Sequence, residues 1–173
     1  MGWEPPSVGC ITLNTDGASK GNSGKAGGGG VFRGWKGEWL GGFAEGMGIC
    51  SSVRAELRAL LRGLLVAKDK EFTKLVVKVD SMLVVGMLKG ELKVNIRHHA
   101  PVQQCKDLID SSNWELIISI GFWEANQVAD SLANLGIELN RKLVLFNEPP
   151  REVVASLYAD HVGVKFPRLI VNQ

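Results

Sequence analysis

The chain is expected to fold as an α/β domain: a five-stranded mixed sheet flanked by helices, its first three strands an antiparallel meander and its fourth and fifth parallel. Three observations predict it. Strand-like runs near the N-terminus are separated only by short glycine-containing turns, and strand-like and helix-like runs alternate after them. The length of 173 residues suits one domain that buries its own core.

The first run, Cys10 to Thr15, alternates, with Ile11, Leu13 and Thr15 on one face and Thr12, Asn14 and Asp16 on the other. Asp16 therefore emerges at the polar end of a strand, followed by the glycine-containing loop Gly17 to Asn22, a position suited to a metal ligand and equally to a plain turn. Gly24 to Gly34 and Glu38 to Glu45 read as an antiparallel pair about the Trp35-Lys36-Gly37 turn. The four consecutive glycines lack the Lys-Ser/Thr of a phosphate loop, and close strand packing is the simpler use for them.

Ser51 and Ser52 offer N-caps to a helix reaching about Lys68, with Val53, Leu57, Leu60, Leu61 and Leu64 on its apolar face and Arg54, Arg58 and Arg62 opposite. Glu56 falls at the margin of the apolar face, either as a solvated edge residue or as a carboxylate turned back to the sheet. Lys74 to Val79 is a β-branched strand ending at Asp80, which is either an N-cap of the next helix, Met82 to Leu88, or a second strand-end acid beside Asp16. Lys89 to His99 is the most basic loop in the chain. A helix from Pro101 to about Ser111 and a buried strand from Trp114 to Ile120 follow. In the last clear helix, Glu124 to Leu135, Asp130 lies opposite the Val128, Leu132, Leu135 strip, where exposure near a helix N-terminus accounts for it.

Composition narrows the classes without choosing among them. Hydrophobic residues make 45% and charged residues 22%, as in ordinary soluble proteins, and no apolar run approaches the roughly 20 residues that span a bilayer. The start, Met1 to Pro6, has neither signal-peptide nor transit-peptide character, so an intracellular protein, nuclear or cytoplasmic, is expected. Cys10, Cys50 and Cys105 lack metal or redox spacing and read as reduced thiols. A net charge of +2 says nothing about partners.

Four ordered segments together are far more specific: Thr15 to Asn22, Arg54-Ala55-Glu56-Leu57, Val79-Asp80-Ser81 and Asn126 to Ala133. They resemble the type 1 ribonuclease H family. Trp3-x-Pro5-Pro6 ahead of Leu13 to Gly17 is similar, more narrowly, to plant ribonuclease H-like domains related to retrotransposon reverse transcriptases. The resemblance implies a ribonuclease H fold in which Asp16, Glu56, Asp80 and Asp130 are catalytic and converge on two divalent cations, Mg2+ or also Mn2+. Hard cations take carboxylate oxygens, and two of them about 4 Å apart suit in-line phosphodiester cleavage. By the same resemblance the partner is an RNA/DNA hybrid, Asn22 meets its minor groove, and Lys20, Lys89, Lys93 and Arg97 are the basic candidates for nucleic-acid contact. A monomer without membrane attachment is expected.

The chain departs from the family where many members read His-x-x-Arg-Glu-x-Asn: the His position is Ile120 and the Arg position Trp123. Those changes bear on turnover more than on metal binding, so a weak or inactive domain that binds nucleic acid or protein is the alternative. The domain is expected over residues 1–139, with its core at about 10–136. Residues 140–173 form a tail whose amphipathic run, Glu152 to Val162, is expected to pack on the domain through Val153, Val154, Leu157 and Tyr158.

Overall fold

The computed structural model describes residues 2–163. Alternation and the glycine turns make the first three strands, β1 (Ile11–Lys20), β2 (Gly24–Arg33) and β3 (Trp39–Cys50), a continuous antiparallel meander. The helix α1 (Ser52–Asp69) crosses over to β4 (Lys74–Val79), parallel to β1, and α2 (Met82–Leu88) and α3 (His99–Ser111) lead to β5 (Glu115–Ile120), parallel to β4. A last helix, α4 (Gln127–Ile137), follows a 3-10 turn at Trp123–Ala125.

The sheet has six strands, not five, in the order β5-β4-β1-β2-β3-β6. The extra strand, β6 (Leu143–Phe146), lies in the segment read from sequence as a tail and pairs antiparallel with Gly42–Glu45 of β3. Asn140 and Arg141, with φ of 48° and 66°, make the left-handed corner that turns the chain back along this edge. Beyond it, α5 (Val154–His161) packs toward α4. Of the four tail residues expected to be buried, Val153 is, Leu157 is partly, and Val154 and Tyr158 are exposed, because α5 offers only one narrow stripe to the domain. Residues 164–173 of that tail lie outside the described residues.

Each face of the sheet has its own core. Ser51 caps α1 by accepting from the Arg54 N–H at 3.2 Å, and the helix buries Leu57, Leu60 and Leu64 completely against Leu13, Phe43 and Val77. Burial of such a leucine contributes about 1.5–3 kcal/mol. On the opposite face α4 lies across β2 through Val128 and Leu132, which meet Val31 and Val153.

The glycine run explains how closely α4 approaches. A Cβ on Gly29 would stand 2.5 Å from the Ala133 nitrogen, and one on Gly27 would stand 2.3 Å from that of Ile137. The helix backbone therefore rests directly on the strand, which is close packing and not a phosphate cradle. No helix among the described residues is long and apolar enough to cross a membrane.

Candidate metal centre

Parallel pairing between β1 and β4 ends at Thr15 and Val79, so Asp16 and Asp80 are the next residues on two adjacent strands. Asp16 is not at the end of β1 itself, as the alternation suggested, since the strand runs on to Lys20 in its hairpin with β2. The end that matters is that of the pairing with β4. Glu56 reaches the same place from the start of α1, which can come this close only because residue 17 is glycine: a Cβ there would lie 2.3 Å from the Glu56 nitrogen. One carboxylate oxygen each of Asp16, Glu56 and Asp80 lies within 4.8 Å of the other two.

These acids are held away from water, with Asp16 5% and Glu56 9% exposed. Burial, and then the neighbouring Asp80, push the Asp16 carboxyl up to about 8. Burial followed by the charges of Asp16 and Asp80 pushes Glu56 up to about 11. Asp80 is raised as well, chiefly by burial and with a further contribution from the Asp130 charge, while hydrogen bonding from Glu56 and the Asn126 amide holds it back. Glu56 is thus turned toward the sheet, and its Oε2 is buried without a hydrogen-bond partner. Crowded carboxylates that resist ionisation, one with an unused oxygen, fit a hard divalent cation, whose charge would favour their ionised forms.

Asp130 stands in the first turn of α4, half-buried, and its charge acts on both Asp16 and Asp80. It is outside the 4.8 Å trio. Asn134 donates to its Oδ2 at 3.3 Å from the next turn. The residue missed from sequence is Asn126, which is 2% exposed and donates to the Thr15 carbonyl at 3.1 Å beside Asp80. Its spacing of four before Asp130 puts the two on one side of the helix start, and that was the available signal.

The basic candidates divide. Arg97 joins Arg54, Arg58, His98 and Arg141 around a cavity of about 640 Å³ that also reaches Ser51 at the start of α1. Arg54 donates to the Arg97 carbonyl and Arg58 to the Met47 carbonyl, each at 3.0 Å, so both guanidinium groups are fixed in place. Asn22 accepts from the Ser52 N–H at 3.1 Å and is tied to the same helix start. Lys20 pairs with Glu138 at 3.3 Å on the surface. Lys89 and Lys93 are exposed and do not line the cavity.

Residues 14–136 match the family described as reverse transcriptase-like. The chain belongs to the reverse transcriptase-like family. A protein of Arabidopsis thaliana that carries the name of a ribonuclease H protein is 36% identical over 170 residues, 98% of this chain but 27% of that protein. The chain thus spans about a quarter of that relative's length. Ribonuclease H1 of the halophilic archaeon Halobacterium salinarum has a similar structure, with a TM-score of 0.70 at 27% identity over 75% of this chain and 98% of that one. LC11 ribonuclease H1, isolated from compost and solved with an RNA/DNA hybrid, also gives a TM-score of 0.70 at 27% identity, covering 74% of this chain and 96% of that one. The ribonuclease H-like fold and the resemblance drawn from the four motifs are both borne out. In this member of the reverse transcriptase-like family, Ile120 closes β5 opposite Val79, and Trp123 is 54% exposed in the turn before α4.

Proposed function

We propose that the chain is a metal-dependent endonuclease that hydrolyses the RNA strand of RNA/DNA hybrids and acts as a monomer. Asp16, Glu56, Asp80 and Asp130 are its catalytic residues and would hold Mg2+ or Mn2+. The observation that carries this reading is the trio of carboxylates within 4.8 Å, Asp16 and Glu56 buried and Asp80 half-buried, raised together by burial and mutual repulsion. When bound, the cations supply Lewis-acid stabilisation of the phosphoryl oxygens and a nucleophilic water at neutral pH. The chain's own residues do the rest. Asp16 and Asp80 anchor the centre on paired strands, Glu56 and Asp130 bracket it from α1 and α4, and Asn126 holds the carbonyl next to Asp16. The arginine-lined cavity at the start of α1 is suited to backbone phosphates of the bound duplex. The Arabidopsis relative's name and the hybrid-bound relative support the choice of substrate.

Ile120 and Trp123 favour a second reading, a domain that binds nucleic acid without cutting it. One assay separates the two: labelled RNA/DNA hybrid is incubated with Mg2+ or Mn2+ and either the unmodified protein or Asp80→Asn. Cleavage by the unmodified protein alone is expected. Binding without cleavage gives the second reading, and equal cleavage by both proteins would overturn the role of the acids.

A further inference from the structure

We infer that Trp3, Arg33 and Asp160 are positioning residues for the metal centre, forming a buried brace in which Trp3 and Asp160, from outside the family-matched segment, hold Arg33 of β2. The inference rests on the metal-site reading above. Arg33 is 1% exposed, and its Nη1 lies 2.7 Å from Asp160 Oδ2 of α5. The other side of the guanidinium group is covered by Trp3, with Cζ 3.5 Å from the ring centroid. The Trp3 indole N–H then donates to Asn14 Oδ1 at 3.3 Å. Asn14 shares a face of β1 with Asp16, two residues on.

Asn126, which touches the metal centre, borders the same brace. Asn14 Nδ2 and Asn126 Oδ1 are buried without partners, a donor and an acceptor. Both line the same narrow space, about 140 Å³, together with Trp3, Arg33 and Asp160. That space is too small for a water to bridge the two groups. Asn126 in turn donates to Thr15 and acts on Asp80. Polar contacts therefore run from α5 through β2 and the N-terminal segment to β1, the strand that carries Asp16, and Asn126, which bonds to that strand and acts on Asp80, borders the same space.

Stability alone does not account for such an arrangement. A buried ion pair is commonly matched or bettered by apolar residues of the same volume, and in some proteins its contribution is a defined geometry, the role inferred for this one. Geometry is what this centre needs, because its acids repel one another and separate unless something holds the strands and α4 in register. Residues 3 and 160 both lie beyond the family-matched segment 14–136.

The test uses the full chain and reads Mn2+ affinity by electron paramagnetic resonance, with melting temperature measured in parallel. Trp3→Phe keeps the ring over Arg33 and removes only the bond to Asn14. It is expected to weaken Mn2+ binding about tenfold, as loss of an outer-shell partner does, with little change in melting temperature. The double variant Arg33→Met with Asp160→Leu is expected to melt near the unmodified protein and still bind Mn2+ weakly. If Trp3→Phe and the double variant bind Mn2+ within twofold of the unmodified protein while Asp80→Asn loses binding, the brace is overturned and the metal centre stands. If Asp80→Asn also binds normally, the metal reading falls and the brace with it.

Discussion

Replacing Glu56 by Gln should make the metal-free protein more stable, and the gain should grow with pH. The folded carboxyl holds its proton up to about 11, whereas the unfolded one releases it near 4.5. Between those values the folded state binds the extra proton, so stability falls as pH rises, by about 1.4 kcal/mol per unit. Asp16 acts in the same direction from 3.8 to about 8. From 4.5 to an assay pH of 8 the ceiling for Glu56 alone is about 5 kcal/mol. An independent figure comes from distance: two charges 4.8 Å apart repel by about 3.5 kcal/mol at an effective dielectric of 20. Both exceed the roughly 0.5–1.5 kcal/mol of a single lost hydrogen bond.

Thermal melts in EDTA provide the assay. Glu56→Gln is expected to gain about 2–3 kcal/mol at pH 8, or roughly 5–10 °C for a domain of this size, and under about 1 kcal/mol at pH 5. Added Mn2+ should stabilise the unmodified protein more than the variant and narrow the difference. A variant that melts at or below the unmodified protein at pH 8 in EDTA, or that gains equally at both pH values, would refute the reasoning.

Two other outcomes follow from the packing and the charge. Gly29→Ala drives a Cβ to 2.5 Å from the Ala133 backbone, so α4 must lift; a loss of at least about 1–3 kcal/mol is expected in denaturant titrations, with weaker Mn2+ binding as Asp130 and Asn126 move away. Arg58→Ala, made in the Asp80→Asn background to prevent cutting, should lower the slope of log Kd against log salt for an RNA/DNA hybrid by nearly one, measured by fluorescence anisotropy. An unchanged slope would remove the cavity from the phosphate path.

Much of this architecture was legible because its causes are local. Alternation marks β1, the β-branched run marks β4, and the Ser51 cap with its leucine spacing marks α1, so Asp16, Asp80 and Glu56 could be placed on their elements in advance. The limits also have particular causes. β6 is only four residues long, and the corner before it uses Arg141 at positive φ, where the usual turn residue is glycine. Helical periodicity put Asp130 opposite the Val128 and Leu132 strip, which describes the helix's own contact face and says nothing of the acids at the adjoining strand ends. Arg141 entered the cavity without any spacing to announce it, since its neighbours there come from β3, α1 and the segment before α3.

By itself the sequence determined the elements other than β6, the order of the four acids and, through their motifs, the family, since these depend on residue type and short spacing. Only the tertiary structure decided that three carboxylates approach within 4.8 Å, that Gly17 and the glycines of β2 let helices come close enough, and that Asp160 meets Arg33 across 127 residues. The physical reason is that repulsion, burial and close packing act through space. Their strength is set by distances of a few ångströms between segments that the chain keeps far apart.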